Sequence, residues 1–162
     1  MSQIEDTSVK IEEIQLEQQD TIEQMARLEQ QIFPDPWSIH EIRSTLKLSH
    51  TFCAAAREGV TFLGYFICYY VLDECEIARI AVTEDARRRG IGKKLLDGME
   101  EMCREKEIRK IMLDVRRSNR IAVIFYEKNG FETDGERKFY YGGSNPEDAL
   151  LMSKTLGDGG NG

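Results

Sequence analysis

The sequence predicts an α/β chain of the α+β kind: one domain, with a mixed, mostly antiparallel sheet of about seven strands and helices on both faces. Two observations predict it. Three strand-like runs, "TFCAAAR", "TFLGYFICYYVL" and "CEIARIAV", follow one another with only short turns between them, which calls for antiparallel neighbours. After them helices and strands alternate, and a strand–helix–strand step brings in a crossover. At 162 residues, 41% hydrophobic and 31% charged, the chain is long enough for one sizeable core and has the composition of an ordinary globular protein.

Each element has a local reason. "VKIEEIQL" reads as the first strand, and "DTIEQMARLEQQIF" as a helix, with Ile22, Met25, Leu28 and Ile32 at helical spacing and Asp20 as its expected N-cap. "PDPW" breaks the chain. "SIHE" then fits a capping box, with Ser38 bonding forward and Glu41 back, and Trp37 and Ile42 placed as a hydrophobic staple. "EGV" is the hairpin turn between the first two of the three consecutive strands. A long helix runs from about Gly90 to Glu107, its apolar stripe formed by Ile91, Leu95, Met99, Met102 and Cys103. "KIMLDV" is a strand, "SNRIAVIFYEKNG" a helix with Ser118 as expected cap and Gly130 as its stop, "FETDGERKFYY" a strand, and "ALLMSKTL" the last strand. The domain is expected over residues 1–156, with 157–162 a flexible tail.

Charge and cysteine usage narrow the function classes. A net charge of -7 argues against a nucleic-acid or anionic-membrane partner. There is neither an apolar run of spanning length nor a secretory leader in "MSQIEDTSVK", so a cytoplasmic location is expected. Cys53, Cys68, Cys75 and Cys103 form no CxxC pair and have only His40 and His50 to join them, so neither a metal nor a disulfide is expected.

Against that acidic background "RRRGIGKKLL" concentrates positive charge at a helix start. Cations there oppose the helix dipole, which makes either a solvated basic turn or a place for an absent anion. A glycine-rich turn leading into a helix offers unpaired N–H groups to a phosphate, and Gly90 and Gly92 remove Cβ atoms from the approach. The Walker A and GxGxxG patterns both fail here: Lys94 follows Gly92-Lys93, and Leu95 stands at the third glycine position. What remains is Arg87-x-x-Gly90-x-Gly92 after a strand ending "IARIAV". Downstream, "LDVRRSNRIAVIFYEKNGF" carries Asn119 and Tyr126, two helical turns apart and so on one face, followed by Gly130-Phe131.

Together these stretches resemble the GNAT acetyltransferases, and the resemblance runs from about Val9 to Leu156. "FPDPWS", "VLDECEIARIAV" and "KFYY…EDALLMSKTL" narrow it to the RimI-type branch, whose members acetylate the N-terminal amine of a small-subunit ribosomal protein. The resemblance implies a GNAT fold and acetyl-CoA as co-substrate, with no metal. It implies cofactor contacts at Ile80, Ala81 and Val82, at Arg87, Arg88, Arg89, Gly90, Ile91, Gly92 and Lys93, and at Asn119 and Tyr126.

Acetyl transfer to an amine needs a neutral nitrogen, a polarised thioester carbonyl and a proton for the leaving thiolate. An α-amine, with a pKa of about 8 against about 10.4 for lysine, is the easier nucleophile near neutral pH. Tyr126 is the candidate acid: taken singly it reads as a core aromatic with its hydroxyl at the rim, and beside the phosphate turn it reads as functional. The branch places a glutamate as base where this chain has Asp114, one methylene shorter, and Asp114 could instead pair with Arg116 on the same strand face. Glu76 is the reserve base, or a plain solvent-facing strand residue. Tyr140 and Tyr141 resemble substrate-side aromatics, though hydrophobic packing would explain them equally well, and Glu41 could attract a basic peptide. Transfer to a lysine or small-molecule amine, or a catalytically degenerate CoA-binding module, are the alternatives. The oligomeric state stays open.

Overall fold

The computed structural model describes residues 8–141 and 147–157, with the side chains of 139–141 excepted. Its elements follow the predicted order: β1 (Val9–Glu13), α1 (Gln19–Ile32), α2 (Ile39–Leu46), β2 (Thr51–Glu58), β3 (Thr61–Val71), β4 (Glu74–Val82), α3 (Ile91–Glu105), β5 (Lys110–Arg116), α4 (Arg120–Lys128), β6 (Glu132–Tyr141) and β7 (Glu147–Thr155). A 3-10 turn at Glu84–Ala86, absent from the sequence reading, leads from β4 toward α3. The seven strands form one mixed sheet in the order β1-β2-β3-β4-β5-β7-β6.

Residue contacts group the chain into two compact units, residues 1–69 with 78–102, and residues 70–77 with 103–162. In the first, β1 pairs antiparallel with β2, and β2 with β3. Gly59, at φ 60, turns the β2–β3 hairpin where "EGV" predicts it. Helices α1 and α2 cover one core, in which Ile22, Met25, Ile42, Tyr65 and Ile67 are fully buried and Phe33 and Trp37 pack at the edge. Such a cluster is the checkable form of the amphipathic pattern read along α1.

The second unit is built on β5. It pairs in parallel with the start of β4, Glu74–Lys110 through Glu76–Met112, and antiparallel with β7 along its whole length. β7 in turn pairs antiparallel with β6. The side chains of β5 alternate strictly between buried and half-buried, the period-2 signature of a strand with one face in the core.

The helix starts divide. Ser38 and Glu41 form the expected capping box, the Glu41 N–H donating to Ser38 Oγ at 3.1 Å and the Ser38 N–H to Glu41 Oε1 at 3.3 Å. Two expected caps are corrected. Asp20 lies in the first turn of α1, and Gln18 is the capping residue. Asn119, not Ser118, caps α4, with its Oδ1 accepting the Ala122 N–H at 3.2 Å. Gly130, at φ 91, ends α4 as read.

Candidate active site

The cationic turn is open. Arg87, Arg88, Arg89 and Gly90 are exposed, and Gly90 sits at φ 72 with nothing within 4 Å of where a Cβ would project. Helix α3 begins at Ile91, and the Lys94 N–H is the first to reach back, to the Gly90 carbonyl at 3.2 Å. The N–H groups of Ile91, Gly92 and Lys93 therefore have no carbonyl within the helix to accept them. The cations differ in how they are committed. Arg89 pairs with Glu58 at 2.6 Å and Lys93 with Asp97 at 2.9 Å, while Arg87 reaches only the Val82 carbonyl at 3.5 Å. Arg88 and Lys94 have no side-chain partner among the described residues. Lys94 is not among the cofactor contacts that the resemblance implies; its place in the first turn of α3, close to Gly92, was the available signal. Free N–H groups, a left-handed glycine and two unspent cations fit a polyphosphate.

Ahead of this turn, Ile80 and Val82 are half-buried and Ala81 is buried. All three lie past the β4–β5 ladder, which covers only Glu74 to Glu76 on β4. Ala81 is held tightly against β3: a Cβ on Gly64 would stand 2.5 Å from the Ala81 carbonyl oxygen. That approach explains the glycine in β3.

The second unit brings two carboxylates together. Glu76 pairs with Met112, so Asp114, two residues further along β5, lies on the same face of neighbouring strands. Glu76 is exposed as a residue, yet partial desolvation of its carboxyl and the adjacent Asp114 charge raise its pKa above the usual glutamate value, with Arg137 opposing. The alternative ion pair between Asp114 and Arg116 is not formed. Arg116 instead faces Glu147 at 3.6 Å, and Asp114 has no ion-pair partner among the described residues.

Tyr126 is buried at 7% exposure, its ring edge-on to Phe125 and Phe131 at 5.3 and 5.4 Å. Asn119, by contrast, is exposed and stands at the cap rather than within the helix, so the two do not share one helical face in the simple sense. Its amide oxygen is engaged by the cap, which leaves its NH2 as the group available to a ligand. Glu41 is likewise engaged by its capping box. The Tyr140 and Tyr141 side chains lie outside the described residues.

The four cysteines are buried and are not in disulfides among the described residues, and Cys75 and Cys103 Sγ lie 3.6 Å apart. Among the described residues no three metal-binding side chains cluster, and no helix is long and apolar enough to cross a membrane.

Residues 22–131 match the model of the Acetyltransferase (GNAT) family. A Bacillus subtilis protein provisionally named ribosomal protein bS18-alanine N-acetyltransferase is 31% identical over 141 residues, covering 85% of this chain and 91% of its own. The Escherichia coli K12 protein named ribosomal protein bS18-alanine N-acetyltransferase is 30% identical over 130 residues, covering 80% and 87%. The crystal structure of the Escherichia coli ribosomal-protein-S18-alanine N-acetyltransferase superposes with a TM-score of 0.81 at 25% identity, over 92% of this chain and 94% of that one. The chain belongs to the GNAT acetyltransferase family, in its RimI-type branch, and is an acetyl-CoA-dependent N-acetyltransferase.

Proposed function

We propose that the chain acetylates the N-terminal α-amine of a protein, a small-subunit ribosomal protein, by direct attack of the amine on the thioester of acetyl-CoA. The names of its relatives support the substrate class. The observation that carries the chemistry is the Glu76–Asp114 pair: two carboxylates side by side, the first with a raised pKa. A carboxylate moved toward neutrality is a better match to an amine of pKa about 8 than to a lysine of about 10.4.

In this reading the Arg87–Lys94 turn holds the pyrophosphate, with Arg88 and Lys94 supplying charge and the first N–H groups of α3 supplying hydrogen bonds. The backbone of Ile80–Val82 holds the pantetheine arm and polarises the thioester carbonyl. The bound cofactor supplies the electrophilic carbonyl and the thiolate leaving group. Glu76 takes the amine proton, directly or through water, and Asp114 keeps the Glu76 pKa high; this reverses the order of the two candidates read from sequence. Tyr126 gives the proton that the thiolate needs, and Asn119 binds the cofactor through its NH2. The reaction is placed in the cytoplasm, where its substrate is made.

Three acceptors test this with the intact chain and acetyl-CoA, read by intact mass: a ribosomal S18 N-terminal peptide beginning with alanine, an N-blocked lysine peptide, and a polyamine. Acetylation of the first in preference to the others supports the proposal. Preference for either of the others moves the substrate class, and cofactor binding without turnover reduces the chain to a binding module.

A further inference from the structure

The Phe33–Ser38 connection between α1 and α2 contains two prolines and forms no regular element, yet three of its residues meet one guanidinium. Arg79 of β4 stands 4.0 Å from the centroid of the Phe33 ring and 5.1 Å from that of Trp37, and its Nη2 donates to the Asp35 carbonyl at 3.5 Å. The same guanidinium donates to both carboxylate oxygens of Glu29, through Nε at 3.1 Å and through Nη2. Glu29, on α1, is fully buried. It also accepts the Tyr65 hydroxyl from β3 and, at 2.8 Å, the Trp37 backbone N–H.

A carboxylate at that depth requires a counter-ion and a full set of donors. Glu29 has four donated hydrogen bonds, all from the protein, so it has no role in reading a ligand. Arg79 serves two ends: its charge satisfies Glu29, and its flat face carries the aromatic pair. It immediately precedes Ile80–Val82, the stretch given above to the thioester arm. Phe33 and Trp37 are only half-buried, which leaves aromatic surface beside that stretch. The end of β4 and the cationic turn are held by other bonds, Thr83 N–H to Leu63 carbonyl at 2.9 Å and Arg89 to Glu58, that do not involve Arg79.

Building on the acetyl-transfer reading, we infer that Arg79 is a positioning residue that clamps the Phe33–Trp37 connection to β4, so that this aromatic wall receives the acceptor peptide. Loss of the clamp weakens acceptor binding and spares acetyl-CoA.

Trp37 is the single tryptophan of the chain, so its fluorescence reports the connection without any turnover. The variants are Arg79→Lys, which keeps the charge without the fork, and the double variant Glu29→Gln/Arg79→Met, which removes both charges together; circular dichroism verifies that each folds. The clamp predicts that acrylamide quenching of Trp37 rises about twofold or more, and that KM for the acceptor peptide rises about tenfold while kcat and KM for acetyl-CoA stay within about twofold. Arg79→Lys should show the smaller change. Unchanged Trp37 quenching in the double variant overturns the clamp, and an equal rise in both KM values overturns its acceptor-side role. A wild-type chain that acetylates no amine defeats the acetyl-transfer reading instead, and Trp37 quenching in the same variants still decides whether Arg79 holds the connection.

Discussion

Around Glu29 every charge is spent on the protein itself, whereas around Glu76 the charges are set against one another. Glu29 is fully buried, paired with Arg79 and hydrogen-bonded by Tyr65 and Trp37. The Tyr65 hydroxyl is driven far above its usual pKa by burial and by the Glu29 charge, so it stays protonated and serves as a donor. Glu76, in contrast, lies beside Asp114, and partial desolvation together with that like charge raises its pKa against the opposing pull of Arg137. The cationic turn repeats the contrast on a smaller scale: Arg89 is spent on Glu58, and Arg88 is not spent at all. Identical residue types thus divide into those that hold the fold and those left with chemistry to do. Charge satisfaction, more than charge itself, separates them.

That division can be broken by experiment, and the largest effect belongs to the unsatisfied carboxylate. Glu76→Gln should lower kcat by about 100-fold or more, the range for a lost general base, with acetyl-CoA affinity unchanged by calorimetry. A loss below about threefold would remove Glu76 from the reaction. Next come the cations. Arg88→Ala and Lys94→Ala should each raise the acetyl-CoA KM about tenfold, as expected for a lost charge-assisted phosphate contact, and the effect should shrink with salt. Arg89→Ala, whose partner is Glu58, should cost about threefold or less by the same assay. Equal effects at Arg88 and Arg89 would erase the distinction between spent and unspent. Smallest for catalysis is Ser38→Ala: it should cost about 1 kcal/mol of stability in urea denaturation, through the lost cap, and leave kcat unchanged.

Most of the fold was legible because its signals are local. The "SIHE" capping box, the Gly59 hairpin and the Gly130 helix stop each depend on residues within a few positions of one another. What failed depends on distant partners. Ser118 looked like a cap, but its own N–H donates to Glu147 of β7 at 2.6 Å, and the cap passes to Asn119. Arg116 looked available to Asp114 until Glu147 claimed it. Asp20 lost the α1 cap to Gln18, whose side chain accepts the Gln15 N–H at 2.8 Å and so fixes the turn that starts the helix two residues earlier.

The candidate site was legible to the same degree and for the same reason. The turn at Arg87–Lys93 is a contiguous motif and could be read whole, but which of its cations are free could not, since Glu58 lies on a separate hairpin. Glu76 and Asp114 are 38 positions apart and meet only through a parallel strand pairing that no local pattern encodes. The resemblance ranks Asp114 ahead of Glu76, and the raised Glu76 pKa beside Asp114 is what supports the reverse order proposed above. The Glu29–Arg79 clamp was invisible for a further reason, because a glutamate on a helix reads as a wet face until its burial is known.

The pH dependence of kcat/KM in Asp114→Asn tests the carboxylate pair most directly. In the wild type partial desolvation and the like charge of Asp114 raise the Glu76 pKa, so with Glu76 as base the acid limb of the profile should lie above the ordinary glutamate range. Removing that charge lets Glu76 ionise more easily, so the limb should move to lower pH while the chain stays active at neutral pH. An acid limb that stays in place, or a loss of activity at every pH as deep as that of Glu76→Gln, would contradict the assignment and return the base to Asp114 or to water.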